Sequence, residues 1–311
     1  MDPLRFGLLG TGYWALNTHG AALASSPHAR LEGVWGRDVD KAHDVATQLG
    51  TVAYQELSQL LDRVDAVAIS LPPDVQATLA VRAAQAGCHL LLDKPLALDV
   101  ELAQSVVDAA QDAGVASVVF FTARFRPELE RWIEAAIEAG PWHSAHLVQY
   151  ANIYQPGNPY AASSWRRERG ALWDIGPHAL SVLVPVMGRV TSVAARRGPA
   201  GSDTVHLVFT HGATSAGAGT VAASTVSLSL TMPPSATTSQ LVLYGATGTW
   251  PRPEVTWQPV EALRGAIAEL AALVDSGERA HRCDARFGLE VVRVLASAEA
   301  ALDLPAVELP E

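Results

Sequence analysis

The sequence is poor in cysteine and lacks the segments that mark secreted or membrane-spanning chains. Only Cys88 and Cys283 occur in 311 residues, too few for a secreted disulfide framework, and their spacing matches no metal motif. The apolar run at residues 6–9 is too short for a signal peptide. No apolar segment reaches the length of a membrane span without a charge or a proline. We therefore expect a soluble, cytoplasmic protein with buried thiols and no metal site.

Charge is also sparse, and its balance is acidic. Charged residues make up 17% of the chain, the formal net charge is -10, and the densest basic cluster is the short WRRERG at 165–170. A field of this sign opposes binding to the phosphate backbone of nucleic acid. Apolar residues make up 49%, which is ample for buried cores, and the length suggests two domains. No internal repeat occurs.

The first 122 residues alternate short apolar runs with longer amphipathic stretches, the pattern of βαβ units over a parallel sheet. The predicted strands are residues 4–9, 31–35, 66–69, 89–92 and 116–121. The predicted helices are residues 38–49, 75–86 and 99–113, followed by Gly50, Gly87 and Gly114. Glycine just past a helix end fits a left-handed cap. We therefore predict an α/β domain with a doubly wound parallel sheet over residues 1–122.

From residue 123 the pattern changes. The segment TVSLSLTM (225–232) alternates apolar and polar residues, as in a sheet with one covered face. The predicted strands are residues 146–153, 190–196, 205–210, 219–231 and 240–244, with GATSAGAGT (212–220) as a loop. The predicted helices are residues 128–139 (ended by Gly140), 179–186, 259–276 and 286–301. This predicts a second α/β domain, residues 123–311, with a large, mostly antiparallel open sheet and a C-terminal helix that packs back toward the first domain.

The segment GLLGTGYWA (7–15) joins the first predicted strand to a predicted helix. Gly10 permits a sharp turn, Gly12 lets the backbone approach a pyrophosphate, and Ala15 permits close helix–strand packing. The start of the helix then offers free N–H groups and a partial positive charge to the anion. Because the turn lies in the first βαβ unit, it predicts dinucleotide binding rather than a plain strand–helix turn.

The segment VWGRD (34–38) ends the second predicted strand, where NAD-binding folds usually carry an acidic residue for the ribose hydroxyls. Here the position is Gly36, followed by Arg37, which leaves room for a 2′-phosphate and a guanidinium to hold it. Asp38 is displaced and is predicted to cap the next helix. The sequence favours NADP over NAD, with a solvated turn residue as the alternative for Arg37.

Two further segments carry groups suited to proton chemistry. In LLLDKPLAL (90–98), Lys94 follows a strand and the acidic Asp93, at the sheet edge where ligands bind, and can donate to a substrate oxygen. In GALWDIGPHAL (170–180), Asp174 and His178 are four apart, so on one helical turn they face the same way and can take a hydroxyl proton. The alternatives are a surface lysine and a capped helix with an incidental histidine.

The chain resembles the glucose–fructose oxidoreductase / inositol dehydrogenase / rhizopine catabolism (Gfo/Idh/MocA) family over nearly its whole length. The resemblance rests on GLLGTGYWA, DKP, RFRPEL (124–129), WRRERGALWDIGPH (165–178) and YGATGTW (244–250), in the family's order. It implies a Rossmann domain, a nicotinamide cofactor and hydride transfer on a sugar, polyol or related alcohol or ketone. It also implies a homodimer or homotetramer through the open sheet, a small-molecule substrate, and neither nucleic acid nor membrane as partner.

Carried over by position, Lys94 polarises the reacting oxygen, His178 is the acid/base, and Asp174 holds the substrate and orients the pair. The resemblance and the motifs assign the cofactor to Gly10, Thr11, Gly12, Tyr13, Trp14, Arg37, Ser70, Leu71, Pro72, Asp93, Lys94, Arg124, Trp165 and Arg166.

The chain departs from the family in two places. Asp93 replaces a glutamate, and the Pro-Asn-x-x-His loop reads PPDVQ (72–76), so that the cofactor contacts of Pro73 and Gln76 are open. Tyr150, Tyr154 and Trp173 predict an aromatic substrate pocket suited to an aryl, deoxygenated or nucleotide-linked substrate, with core packing as the alternative.

The function predicted from the sequence is an NADP-dependent dehydrogenase or reductase, with NAD as a possible cofactor. The enzymatic alternatives are a nucleotide-linked keto-sugar ketoreductase and a dihydrodiol- or xylose-type dehydrogenase. The non-enzymatic alternative is an NADP-sensing regulatory binding protein, which the presence of Lys94, Asp174 and His178 disfavours.

Overall fold

The computed structural model describes residues 2–212, 222–256 and 258–305. The chain forms two compact units: the first is Met1–Glu130 with Val255–Val292, and the second is Arg131–Glu254 with Arg293–Glu311. The predicted boundary after residue 122 lies close to the end of the first segment. Because a later stretch of chain returns to it, the first unit is discontinuous in sequence.

The first unit contains a six-stranded parallel sheet with the strand order β3-β2-β1-β4-β5-β6. Its strands are β1 Leu4–Leu9, β2 Ala29–Trp35, β3 Ala53–Tyr54, β4 Ala66–Ile69, β5 His89–Asp93 and β6 Ser117–Phe120. The order reverses between β1 and β4, as in doubly wound dinucleotide-binding folds. The predicted doubly wound parallel sheet is confirmed, and only the two-residue β3 escaped the sequence pattern.

Helices cover both faces of this sheet, which explains why its central strands are apolar runs without alternation. All four residues of β4 are fully buried. The described α-helices are α1 Ala21–Ser25, α2 Val39–Leu49, α3 Leu57–Leu61, α4 Pro73–Gln85, α5 Val100–Asp112, α6 Pro127–Ala139, α7 Ser164–Asp174, α8 Gly176–Met187, α9 Pro259–Ser276 and α10 Ala285–Leu302. A π-helix, Ala15–Gly20, precedes α1.

The glycines predicted to end α2, α4 and α5 all have positive φ, and these residues are Gly50, Gly87 and Gly114. At the other ends of α2 and α5, the side chains of Asp38 and Asp99 accept backbone N–H groups of the first turn. The helix α6 also ends where predicted, although Gly140 does not adopt the left-handed conformation.

The second unit contains a six-stranded sheet with the order β12-β11-β7-β10-β9-β8. Its strands are β7 Trp142–Tyr150, β8 Val190–Arg197, β9 Val205–His211, β10 Ala222–Ser229, β11 Thr238–Gly245 and β12 Gly248–Pro251. Among these described strands only β7 and β10 pair in parallel, so the predicted mostly antiparallel sheet is confirmed. Residues 213–221, which include most of the predicted loop, lie outside the described residues.

One face of the second sheet is covered. Along β10, Val226 and Leu228 are buried while Thr225 is exposed, which follows the alternation in the sequence. Gly176 of α8 approaches Leu228, so this helix packs on the buried face. Ser164–Met187 is long and apolar enough to cross a membrane by length and composition, but 83% of its apolar window is buried, as in a core helix.

Candidate nucleotide and substrate sites

The turn after β1 has the geometry that a close approach to a phosphate requires. Gly10 has φ +136°, and a Cβ there would lie 2.3 Å from the Ser70 carbonyl oxygen, so no other residue fits without strain. A Cβ added to Gly12 would meet no atom of the described residues within 4 Å. Gly10 is therefore required by the fold, whereas the space beside Gly12 is open.

The helix that follows this turn begins with Tyr13 and Trp14 and continues as the π-helix. Tyr13 is exposed, and Ala15 is buried close to Gly10, as tight strand–helix packing requires. The first N–H groups of a helix have no acceptor in a preceding turn, so this end is suited to an anion. Thr11 and Gly12 directly precede the first residue of this helix.

The end of β2 is followed by the basic Arg37, and the acidic Asp38 beside it is bonded to the next helix. Arg37 is exposed, and within the described ranges its guanidinium forms no ion pair or hydrogen bond. Asp38 accepts the backbone N–H of Lys41 at 3.1 Å, and this bond holds the pKa of Asp38 below its usual value. A Cβ on Gly36 would lie 2.6 Å from the Thr11 methyl group, so the strand end has no room for a larger side chain.

The loop after β4 lies against the glycine turn. The Ser70 N–H donates to the Leu9 carbonyl oxygen at 2.9 Å, and the Ser70 carbonyl faces Gly10. Leu71 is half-buried, and Pro72 is exposed at the start of α4, where its carbonyl accepts two helix N–H groups. These three predicted cofactor residues therefore lie beside the turn.

Lys94 directly follows β5 at the carboxyl edge of the same sheet and is half-buried. The carboxylate of the neighbouring Asp93 points to a buried partner, because it lies 3.2 Å from Nε2 of the fully buried His19. The side chain of Gln76 is also fully buried and bonds the backbone of Asp93. No sequence motif singled out His19, and Gln76 appeared only as a departure from the family pattern.

The structure corrects the prediction that Asp174 and His178 share one helical turn. α7 ends at Asp174 and α8 begins at Gly176, with Ile175 between them. Pro177 has no N–H to continue the bond ladder of α7, and it stands in the first turn of α8, where that loss costs nothing. Asp174 is buried, whereas His178 is half-buried.

Arg166 fixes Asp174 within the second unit. Its Nε lies 3.1 Å from the Asp174 carboxylate, and its guanidinium lies over the rings of Trp165 and Tyr160 at 4.6 and 4.9 Å. A partly buried pair of this kind holds both side chains in one orientation. The structure thus joins three predicted site residues, Trp165, Arg166 and Asp174, in one cluster.

The three aromatic residues predicted for a substrate pocket differ in their surroundings. Trp173 is 0% exposed and donates its ring N–H to Glu299 at 3.0 Å, so it packs in the core, which was the alternative. Tyr154 lines a cavity of about 600 Å³ and donates its hydroxyl to the Arg166 carbonyl. Burial raises the pKa of the Tyr154 phenol. Tyr150 is half-buried at the end of β7.

Arg124, which was predicted to bind the cofactor, forms an ion pair inside the first unit. This side chain is buried and forms two hydrogen bonds with the Glu130 carboxylate, at 2.8 and 3.0 Å. Arg282 binds the same carboxylate at 2.8 Å and donates to the Arg124 carbonyl. The motif RFRPEL singled out Arg124 but gave no sign of this ion-pair cluster, which depends on a residue more than 150 positions away.

The predicted site residues therefore form two groups, one in each compact unit. The first unit contains the glycine turn, Arg37, the 70–72 loop, Asp93 and Lys94. The second contains Tyr150, Tyr154, the Trp165–Arg166–Asp174 cluster and His178. Within the described residues, no group of three or more His, Cys, Asp or Glu side chains has the arrangement of a metal site.

Comparisons with known proteins agree with this fold. Residues 4–121 match the Gfo/Idh/MocA family model, described as an oxidoreductase family with an NAD-binding Rossmann fold. The D-xylose 1-dehydrogenase (NADP(+)) 2 of Haloferax volcanii is 32% identical over 200 residues, 62% of this chain and 60% of that protein. The UDP-N-acetylglucosamine 3-dehydrogenase of Acidithiobacillus ferrooxidans is 30% identical over 139 residues, 45% of this chain and 44% of that protein.

The alignments thus span about half the length of these curated relatives. A solved structure extends the likeness to the whole chain at the level of fold. The UDP-N-acetylglucosamine 3-dehydrogenase GnnA from Acidithiobacillus ferrooxidans superimposes with a TM-score of 0.80 at 19% identity, covering 97% of this chain and 98% of that one. Residues 4–121 thus match the Gfo/Idh/MocA family of oxidoreductases, and the chain as a whole shares the fold of GnnA.

Proposed function

We propose that this protein is an NADP-dependent oxidoreductase acting on a CH–OH group of a sugar, a polyol or a related small molecule. One observation carries the proposal: the carboxyl edge of the parallel sheet combines an open glycine turn with an exposed arginine that has no protein partner in the described ranges. A 2′-phosphate is the part of NADP that NAD lacks, and an arginine after the second strand, such as Arg37, supports binding of that group.

The residues present fit such a cofactor. The free space beside Gly12 admits a pyrophosphate, and the start of the following helix supplies N–H donors and positive potential. Gly36 removes the acidic side chain that would repel a 2′-phosphate. The bound nicotinamide supplies the site that gives or accepts hydride; every other step falls to the protein's own side chains.

Those side chains divide the proton chemistry. In the proposal, Lys94 donates a hydrogen bond to the substrate oxygen whose carbon is oxidised, and so stabilises negative charge that develops there. His178 takes the hydroxyl proton on oxidation and returns it on reduction, because an imidazole titrates near neutral pH. Asp174 binds a substrate hydroxyl while Arg166 holds its carboxylate in place.

The test is turnover followed at the absorbance band of the reduced nicotinamide. Purified protein is mixed with NADP⁺ and a panel that includes D-xylose, inositol and UDP-N-acetylglucosamine, and then with NADPH and the matching ketones. Lys94→Ala and His178→Asn should each lower kcat by about a hundredfold or more with little change in cofactor affinity. Lys41→Ala, the only other lysine substitution the chain offers, should leave kcat unchanged.

Two outcomes would reject the proposal. Turnover that survives Lys94→Ala removes the oxygen-polarising role from that residue. Tight NADPH binding with no turnover on any panel member would instead favour a regulatory NADP-sensing protein. Activity on the nucleotide sugar alone would favour a nucleotide-linked substrate, the alternative that the relative acting on UDP-N-acetylglucosamine supports.

The uncovered face of the second sheet is proposed to bind a second copy of the chain, as a dimer or half of a tetramer. Its central rows carry small, neutral or imidazole side chains, such as Thr225 beside His146 and Val208 in the sheet register. Val208 is exposed at the middle of this face. Light scattering should give a dimer or larger, and Val208→Glu should release monomers; a monomeric parent would refute this. A cytoplasmic location belongs to the same proposal, supported by two free, buried cysteines.

A further inference from the structure

Gln76 makes an unusual set of hydrogen bonds for a side chain on a helix that also has exposed residues. It lies in the first turn of α4, yet it is 0% exposed. Its Oε1 accepts the backbone N–H of Asp93 at 2.8 Å. Its Nε2 donates to the Asp93 carbonyl at 2.8 Å and to the Pro95 carbonyl at 3.1 Å, and lies 3.4 Å from that of Leu96.

These partners lie on both sides of Lys94 in sequence. β5 ends at Asp93, so the carbonyls that follow have no neighbouring strand whose N–H groups donate to them, and Pro95 has no N–H to offer. A buried carbonyl left without a donor is unfavourable, and one amide group satisfies several here. From its place on α4, Gln76 therefore holds the backbone on both sides of Lys94 by hydrogen bonds.

A second buried residue holds the same segment by its side chain. His19 is fully buried, its Nε2 lies 3.2 Å from the Asp93 carboxylate, and its ring meets Phe120 edge-on with the centroids 6.4 Å apart. Both the backbone and the carboxylate of Asp93 are thus fixed. The residue that precedes Lys94 has little freedom to move.

We propose that Gln76 is a positioning residue that aims Lys94. The inference rests on the proposed function, in which the Lys94 amine must reach a reacting oxygen. A lysine side chain has four rotatable bonds, so the position of its amine depends on how firmly the Cα is held. A displacement of about 1 Å in such a group is enough to cost a large part of the rate.

The first test needs no substrate. In Gln76→Glu the side chain keeps its size and its acceptor but loses the amide hydrogens, so the carbonyls of Asp93 and Pro95 lose their donor. Hydrogen exchange of the peptide 90–98 should become about tenfold faster. Gln85→Glu is the matched control, because Gln85 is an exposed residue at the end of the same helix; it should leave the exchange of that peptide unchanged.

The composition of the chain supplies a second readout. Lys41 and Lys94 are the only lysines among the 22 basic residues, so amine labelling followed by mass spectrometry reports Lys94 against an internal reference. Lys41 is exposed on α2, away from the bonds of Gln76. Gln76→Glu should change the Lys94-to-Lys41 labelling ratio by about threefold or more, and Gln85→Glu should not.

A double-mutant cycle then separates positioning from general stability. With the panel substrate that the parent protein turns over, Gln76→Glu should lower kcat by about tenfold while the NADPH dissociation constant stays within about twofold. In the Lys94→Ala background the same change should lower kcat no further, because the residue it positions is gone. Gln76→His, which keeps a ring N–H donor, should restore part of the rate and serves as the test variant if Gln76→Glu does not fold.

The outcomes distinguish this inference from the proposed function. Equal losses of kcat from Gln76→Glu with and without Lys94 would overturn the positioning role, as would unchanged exchange and labelling. If Lys94→Ala itself leaves kcat intact, the role of the lysine fails, whereas the exchange and labelling results still decide whether Gln76 holds the segment.

Discussion

Arg37 offers the sharpest test of cofactor choice. The side chain is exposed and has no partner in the described ranges, so Arg37→Ala removes a charge without leaving a protein carboxylate unpaired. A phosphate with nearly two negative charges about 4 Å from a guanidinium in water gains about 2 kcal/mol, and salt screening reduces this. We therefore expect a loss of about 1–2 kcal/mol, which weakens NADPH binding by about tenfold.

NADH has no 2′-phosphate, so its affinity should change by less than about twofold. The measurement is a fluorescence titration of both reduced cofactors at low salt, repeated at about 1 M salt, where the preference for NADPH should shrink. Arg63→Ala is the control, because Arg63 is also exposed but precedes β4, at the amino edge of the sheet. Equal weakening of NADPH and NADH by Arg37→Ala would refute the phosphate assignment.

Three further predictions concern stability and reactivity. Gly10→Ala should destabilise the fold by about 3 kcal/mol, because alanine disfavours the positive φ and its Cβ would clash with Ser70. Gly12→Ala should keep the melting temperature but lose NADPH binding. Equal falls in melting temperature for the two variants would contradict this prediction. The hydrogen bond from Arg5 lowers the pKa of Asp65, so this pair stabilises fully above the unfolded pKa of about 3.9, and the stabilisation is lost as the pH falls through the lower pKa of the folded state; Asp65→Asn should lower the melting temperature more at pH 7 than at pH 3. Burial raises the thiol pKa values to about 11 and about 12, so a thiol reagent at pH 8 should label neither native cysteine, and rapid labelling of either would disprove their burial.

The architecture of the first unit could be predicted because its signals are local. Apolar runs buried on both faces define strands, and Gly50 ends α2 with the positive φ that the sequence implied. The role of Asp38 as a helix cap was also visible, because a cap needs only its own helix. Turn and cap chemistry depends on neighbours in sequence, so one sequence suffices to find it.

The site residues were harder where their partners are distant. The break between α7 and α8 comes at Pro177, a local signal that a reading of the spacing alone passed over when it placed Asp174 and His178 on one turn. The hydrogen-bond partner of the buried Trp173 is Glu299, which is far away in sequence. A motif identifies which residue types stand together, but the bonds that each side chain makes are set by the tertiary fold.

The short distance between position 36 and Thr11 constrains how this lineage could exchange one dinucleotide for another. An acidic side chain introduced at Gly36 would meet the Thr11 methyl group, whose β-branched stem turns with difficulty. Thr11→Ala removes this methyl group, so we expect that change to make room for an acidic side chain at position 36. Relatives that carry an acid at the end of this strand are expected to have alanine or glycine at the middle of the turn.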